Sequence, residues 1–377
     1  MTYKFQLKLQ SQWLLDDAAS AAQVPLQDVL ALLSAIAESG HIAGACRACG
    51  LSYRHGWGVL RRFEAVFGTP LLITNRRQGT QLSEFAQRLL WANRRIEARL
   101  MPTLESMASE LQEELERLLP HAGSHLRLHA SHGFAVEALM RHLGRRASSL
   151  ELRYRTAIEA LASLERRECD LAGFQVPCGE FEPAILAHYR PWLNDDYVLI
   201  QLSVRNTGLF VRPGNPKHIG GIADLARPDV RFVNRQIGSS TRHLIGVMLD
   251  RAGIATSRVH GYDTNEFTHM AIAAHIASGM ADTGVGVETA ARRFGLDFIH
   301  LARERYFFAV RKAGLETPAM RELLAVMRSP EFAGELGQLV GYDNADVGCL
   351  LRLDEAFPGW LAEPARAVAG KAHGGAI

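Results

Sequence analysis

The chain has 377 residues, enough for two or three domains with substantial cores. At 47% hydrophobic and 22% charged, with a net charge of +2, it reads as an ordinary globular protein with no disordered or low-complexity body. No apolar run is long enough to span a bilayer, and the alternating start over residues 1–10 lacks the apolar core of a signal peptide, so no membrane association and a cytoplasmic location are expected. Five cysteines, an odd number, argue against a disulfide framework. Cys46 and Cys49 form a C-x-x-C on one apolar helix face and read as small core residues. Neither they nor the fifteen histidines have the spacing of a metal site, so no metal is expected.

In chain order, residues 4–15 carry the alternating Phe5, Leu7 and Leu9 and suggest a strand or arm. Residues 26–39 keep a helical period through Val29, Leu30, Leu33 and Ile36, and Gly40 serves as the cap. Ile42, Ala45, Cys46 and Cys49 then make one face of a short helix, Gly50 supplies a tight turn, and Ser52 caps a second helix. Trp57, Leu60, Phe63 and Phe67 are expected to be its buried stripe. Residues 69–83 read as a hairpin with Arg76 and Arg77 at its tip. The sum is a winged helix-turn-helix over residues 42–83. Ser52, Tyr53, Arg54, His55, Arg61 and Arg62 on the second helix, with Arg76 and Arg77 on the wing, are the candidates to touch duplex DNA. Residues 41–100 hold ten arginines and no lysine against three glutamates, a balance of +7 in a chain of net +2, which is a phosphate-binding footprint.

Residues 84–119 form one long helical pattern. Leu89, Ile96, Leu100, Leu104, Met107, Leu111, Leu115 and Leu118 recur on a stripe too exposed for a lone chain, which suits a second copy. Pro102 is expected to kink it or break it in two. After a boundary at residues 120–124 the pattern alternates: strands at 126–130, 150–154 and 170–174 with helices at 136–143 and 157–167 between them. Such alternation implies a parallel sheet with ligands beyond the strand ends. Residues 197–211 are strand-rich, with a break expected at 205–208 as the crossover into a second lobe. A strand at 230–233, a helix ending at 251, a helix at 266–278 and a strand at 281–285 follow. Two return strands at 298–301 and 305–310 and closing helices at 318–327 and 330–339 complete the pattern. The tail beyond residue 358 is expected to fray.

Residues 43–82 resemble the winged helix-turn-helix of LysR-type regulators, and Leu51-Ser52-Tyr53-Arg54 with Trp57 is closer still to molybdate-responsive regulators. In those families the long helix is the dimerisation helix. From residue 126 to about 339 the chain is similar to the periplasmic-binding-protein-like module found fused to such domains. The motif Asn234-Arg235-Gln236 with Gly238-Ser239-Ser240-Thr241-Arg242 is the most specific piece, and Thr268-His269, 279–282 and 284–286 follow in order. Ser240 stands where glycine is common in that family. The expected fold is therefore α/β. A winged helix-turn-helix at 1–83 and a linker helix at 84–120 precede a two-lobed binding-protein-like domain at 121–355, with a tail at 356–377.

In that layout the Gly-Ser-Ser-Thr run opens a helix at a strand end, where backbone N–H groups and the helix dipole favour an anion. Arg235, Gly238, Ser239, Ser240, Thr241 and Arg242 line one side. Ser131, His132 and Gln175 end strands across the cleft, and Thr268 opens a further helix. Three strand ends with donors and no carboxylate point to a small anion. An oxyanion such as molybdate or tungstate fits, and a small organic acid such as formate is the alternative. The expected protein is a homo-oligomeric, ligand-responsive DNA-binding regulator without catalytic residues or a resident cofactor. An enzyme of molybdenum-cofactor or thiol chemistry carrying a DNA-binding domain is the reading from another class.

Overall fold

The computed structural model describes residues 7, 9–17, 22–75, 79–118, 126–145 and 150–360. A hairpin of β1 (Leu14–Asp17) and β2 (Ala22–Pro25) leads into α1 (Gln27–Ser39). Only the last two residues of the expected N-terminal strand fall in β1, and residues 1–6 lie outside the described part. The helix-turn-helix follows as α2 (Ile42–Ala48) and α3 (Tyr53–Phe67). Gly40 and Gly50 take φ of 70° and 69°, the left-handed values that end α1 and turn α2 into α3. Ser52 caps α3 by accepting from His55 N at 3.2 Å.

Of the expected stripe, Leu60 and Phe63 are buried and Phe67 is half-buried, but Gly56 and not Trp57 completes the inner face of α3. A Cβ at Gly56 would overlap Cys46 Sγ, so α3 seats its bare backbone on α2 there and turns Trp57 outward. The wing is β3 (Leu72–Asn75) paired with β4 (Gly79–Leu82), and Thr80 N donates to the Gly40 carbonyl at 3.0 Å. Its tip, with Arg76 and Arg77, lies outside the described residues.

The long helix α4 (Glu84–Leu118) runs past Pro102 without breaking in two, where a kink or a break is expected from the sequence. A proline at 102 leaves the carbonyl of Ala98 without its helical N–H, and the Thr268 hydroxyl donates to that carbonyl at 3.2 Å instead. Tertiary contact thus replaces the lost bond. Ala86 and Leu90 of the first turns sit in the helix-turn-helix core. Further along, Trp91 packs on Phe294 at 5.3 Å, so α4 also lies on its own effector domain. Leu100, Met107, Leu111 and Leu118 stay exposed on another face.

The first lobe is built from β5 (Leu126–Ala130), α5 (Phe134–Arg145), β6 (Leu150–Tyr154), α6 (Ala157–Glu165), β7 (Leu171–Pro177) and α7 (Glu182–Tyr189). The long β8 (Tyr197–Val211) leaves it. The second lobe comprises β9 (Phe232–Arg235), α8 (Ser240–Arg251), β10 (Asn265–Glu266), α9 (His269–Ala277), β11 (Thr283–Val287) and α10 (Glu288–Arg293). β12 (Asp297–Arg311) returns to the first lobe, followed by α11 (Pro318–Met327), α12 (Pro330–Gly337), β13 (Tyr342–Asp343), β14 (Leu350–Leu351) and α13 (Leu353–Ala356). One sheet carries both lobes in the order β10-β9-β11-β8-β12-β7-β5-β6.

Within each lobe the neighbours β5, β6 and β7, and β9, β10 and β11, pair in parallel. β8 and β12 run antiparallel through the middle, so the sheet is mixed and not parallel throughout. β8 is continuous where a break at 205–208 is expected, and the two expected return strands are one, β12. Arg205-Asn206-Thr207-Gly208 has the composition of a turn, but Arg205 and Thr207 find their partner in the adjacent strand, and Gly208 lets Ile299 of β12 approach closely. Glu266, expected to open a helix, instead extends the sheet with Asn265 as β10, and α9 begins at His269. Ala356, Phe357 and Trp360 are buried in the effector core, so that core extends past residue 355 to Trp360.

Candidate functional site

Two surfaces bring the sequence candidates together. On α3, Tyr53, Arg54, His55, Arg61 and Arg62 are exposed, and Ser52 is both exposed and engaged as the cap. Tyr53 stacks on Trp57 at 6.5 Å, and Arg61 lies 5.0 Å over the Trp57 ring. An aromatic and basic ridge therefore stands at the start of the helix, where the backbone N–H groups also point.

The second surface is the cleft between the lobes. Parallel strands β5 and β7 deliver Ser131 and Gln175 at their carboxyl ends, and Gln175 Nε2 donates to Ser131 Oγ at 2.6 Å. Ser240, the first residue of α8, donates to Gln175 Oε1, so a chain of three polar side chains joins the lobes. Ser239 caps α8, accepting from Arg242 N at 3.1 Å, and Thr241 is buried behind it. Gly238 takes φ of 83° and comes against Thr156, the cap of α6.

The middle strands supply what sequence reasoning missed. The β8–β12 register sets Arg205 opposite Glu304, and the β7–β12 register sets Gln175 opposite Tyr306. Alternation puts Glu304 and Tyr306 on one face. Arg205 Nε and Nη2 both reach Glu304 Oε2 at 3.2 Å, and Thr207 Oγ1 donates to the same oxygen at 2.7 Å. Glu304 adds a buried carboxylate on β12, away from the three strand ends read from the sequence. Arg205 also lies against Gly133, next to Ser131 and His132.

Arg235, at the end of β9, is 3% exposed. It donates to the His269 ring at 3.1 Å and to the Phe267 carbonyl at 2.8 Å, both uncharged acceptors. Among the described residues no carboxylate forms an ion pair with it. Burial and the neighbouring Arg205 push its guanidinium down to about 9. Burial first, then Arg235 and Arg205, push His269 well below the usual histidine range. His132, stacked on Tyr154 with ring centroids 3.3 Å apart, is pushed down to about 3 by burial and Arg235. Two arginines against one glutamate leave one net positive charge in a water-poor floor.

The remaining candidates are otherwise engaged. Arg242 is held by Asn265, by Asp263 at 2.9 Å and by the Tyr262 ring at 4.6 Å. Thr268 caps α9 by accepting from Ala271 N at 3.0 Å and donates to α4. Asp282 accepts from Arg231 N at 2.9 Å, a structural anchor.

The buried neutral histidines set an acid limit. His129 is pushed down to about 4, by burial first, and His132 to about 3. In the unfolded chain both would titrate near their ordinary value of about 6.5. Below that the unfolded state binds more protons, so stability falls as pH falls from about 6.5 toward 4, by up to about 1.4 kcal/mol per pH unit for each ring. Thermal melts at pH 6.5 and pH 5 are expected to differ by several degrees, and His132→Asn to shrink the difference. Equal melting temperatures at both pH values would contradict this.

Comparison with known proteins matches residues 136–328 to the PBP superfamily domain and residues 28–87 to the lysR family of bacterial regulatory helix-turn-helix proteins. The uncharacterized protein YvgK of Bacillus subtilis (strain 168) is 29% identical over 218 residues, covering 57% of this chain and 70% of that protein. An uncharacterized protein in the ferredoxin 2Fe-2S gene 5' region of Clostridium pasteurianum is 34% identical over 97 residues, covering 26% of this chain and 86% of that protein. Among solved structures, CbnR, a LysR family transcriptional regulator, aligns at 15% identity over 79% of this chain and 98% of its own, with a TM-score of 0.37. The chain thus belongs to the PBP superfamily and carries a lysR-family helix-turn-helix, the make-up of a LysR-type, ligand-responsive transcription regulator and not of an enzyme.

Proposed function

We propose that the effector of this regulator is a small oxyanion, of the kind of molybdate or tungstate, held in the cleft by Ser131, Gln175, Ser240 and Arg235 with the helix starts behind His132 and Ser239. The observation that carries this is Arg235, a buried guanidinium facing only neutral acceptors. A buried charge that no carboxylate pairs directly is costly, and with Glu304 already bound by Arg205 an anion at this point would relieve the cost. Donors converge from both lobes, which suits four tetrahedral oxygens better than the two of formate. Gly238, Thr241 and Arg242 then shape and stiffen the loop, and Thr268 acts through α9.

Tyr53, Arg54, His55, Arg61 and Arg62 are the DNA-facing set, with Ser52 fixing the helix start. The exposed Leu100, Met107, Leu111 and Leu118 of α4 are the contact with a second copy, which would set two α3 helices on successive major grooves about 34 Å apart. Among the described residues no helix is long and apolar enough to cross a membrane, and a DNA-binding role would put the protein's work in the cytoplasm. A mobility-shift titration of the regulator's operator with and without molybdate tests the reading: the anion is expected to change the apparent affinity or the stoichiometry of the complex. A complex that shifts with molybdate, tungstate, phosphate and sulfate just as it does without anion would refute an oxyanion effector.

A further inference from the structure

The middle of α4 ties the two lobes together across the cleft. On the second lobe, Arg99 Nε lies 3.1 Å from Oε2 of Glu266, whose side chain is 1% exposed and whose other oxygen is 3.0 Å from His275 Nδ1. One residue back, the Ala98 carbonyl freed by Pro102 accepts from Thr268 at 3.2 Å. Both anchors adjoin the anion-facing residues: Glu266 pairs in register with Arg235, and Thr268 caps the helix that opens with His269. On the first lobe, Glu105 accepts from the Tyr154 hydroxyl, and its Oε2 is 3.9 Å from Nδ1 of the neutral His132 ring. Arg99 and Glu105 are six residues apart, about 9 Å along a helix.

We propose that residues 98–105 are a strap over the effector cleft and that the Glu105 carboxylate is a built-in competitor of the effector. An anion arriving beside Ser131 and His132 repels Glu105, releases α4 from the first lobe and leaves it held by the second. The inference rests on the anionic effector proposed above. Glu105 already stands in an unfavourable place for a charge: burial and then the nearby Glu137 hold its carboxyl above the usual range. The helix it sits on is continuous with Ala86 and Leu90 of the DNA-binding core, and Arg94 Nη2 donates to Ser34 of α1 at 2.9 Å. Release of the strap therefore reorients the DNA-binding domain through a single rigid helix.

Two variants of the full chain test this. Glu105→Gln keeps an acceptor for Tyr154 and removes the charge. Calorimetry with molybdate, then tungstate, phosphate, sulfate and formate, is expected to find the bound anion held three- to tenfold more tightly by E105Q than by wild type. Equal or weaker binding overturns the competition. Tyr154→Phe removes the strap's bond to the first lobe without touching charge. Hydrogen exchange of the amides of residues 99–108 is expected to rise about tenfold in anion-free Y154F, and in wild type on adding the anion. Unchanged exchange in Y154F overturns the strap. If no anion of the panel binds wild type, the effector reading fails, and the exchange of Y154F still decides the strap.

Discussion

Arg54→Ala is expected to weaken operator binding by about ten- to a hundredfold, the cost of one good base or phosphate contact. Arg54 stands exposed in the first turn of α3, behind the Ser52 cap and beside Tyr53 and His55. Among the described residues no carboxylate pairs with it, so its removal should leave stability within about 0.5 kcal/mol. Arg61 differs: it is drawn over Trp57 and lies 3.5 Å from Glu64, so Arg61→Ala should disturb the helix surface as well as any phosphate contact. A mobility-shift titration separates the two, because loss of a phosphate contact flattens the salt dependence of binding. An Arg54→Ala protein that binds with wild-type affinity would move the recognition surface off α3.

Arg235→Gln should abolish the effector response while leaving the fold intact. A truncated member of a buried, hydrogen-bonded charge pair costs about 2–5 kcal/mol, or roughly thirty- to several-thousandfold in anion affinity. In the anion-free protein the same change removes a buried charge that has no carboxylate, so the melting temperature should hold or rise. Arg205→Gln is the contrast. It leaves Glu304, 1% exposed, with only Thr207 of its two charge-assisted partners, and should cost about 3–5 kcal/mol of stability. A melting curve for each variant reads the difference. If Arg235→Gln unfolds as readily as Arg205→Gln, Arg235 is a structural ion and not a ligand site.

What the sequence makes legible follows from periodicity and local chemistry. Gly40, Gly50 and Ser52 announce their caps and turn because left-handed φ and N-capping favour those residue types. The ends of β5 and the start of α8 are visible for the same reason, and they carry Ser131, Ser239 and Ser240. The cleft floor is hidden because it depends on register between strands about a hundred residues apart. Nothing local in 197–211 pairs Arg205 with Glu304, and Arg-Asn-Thr-Gly reads as a turn until that partner is in place. The available signal is a charge, Arg205, set in a strand whose two ends, 197–200 and 209–211, are apolar. Trp57 misleads because its apolarity suggests burial, whereas the tight approach of Cys46 selects Gly56 for the inner face. Pro102 misleads because the bond it removes from the Ala98 carbonyl is replaced by Thr268, 170 residues away along the chain.

The most direct measurement is a calorimetric titration of the full chain with molybdate, tungstate, phosphate, sulfate and formate, run in parallel on Arg235→Gln. One oxyanion should bind wild type at one per chain and fail to bind the folded variant. Binding of every anion to the two proteins alike, or of none to wild type, would contradict a cleft built around an unpaired buried charge.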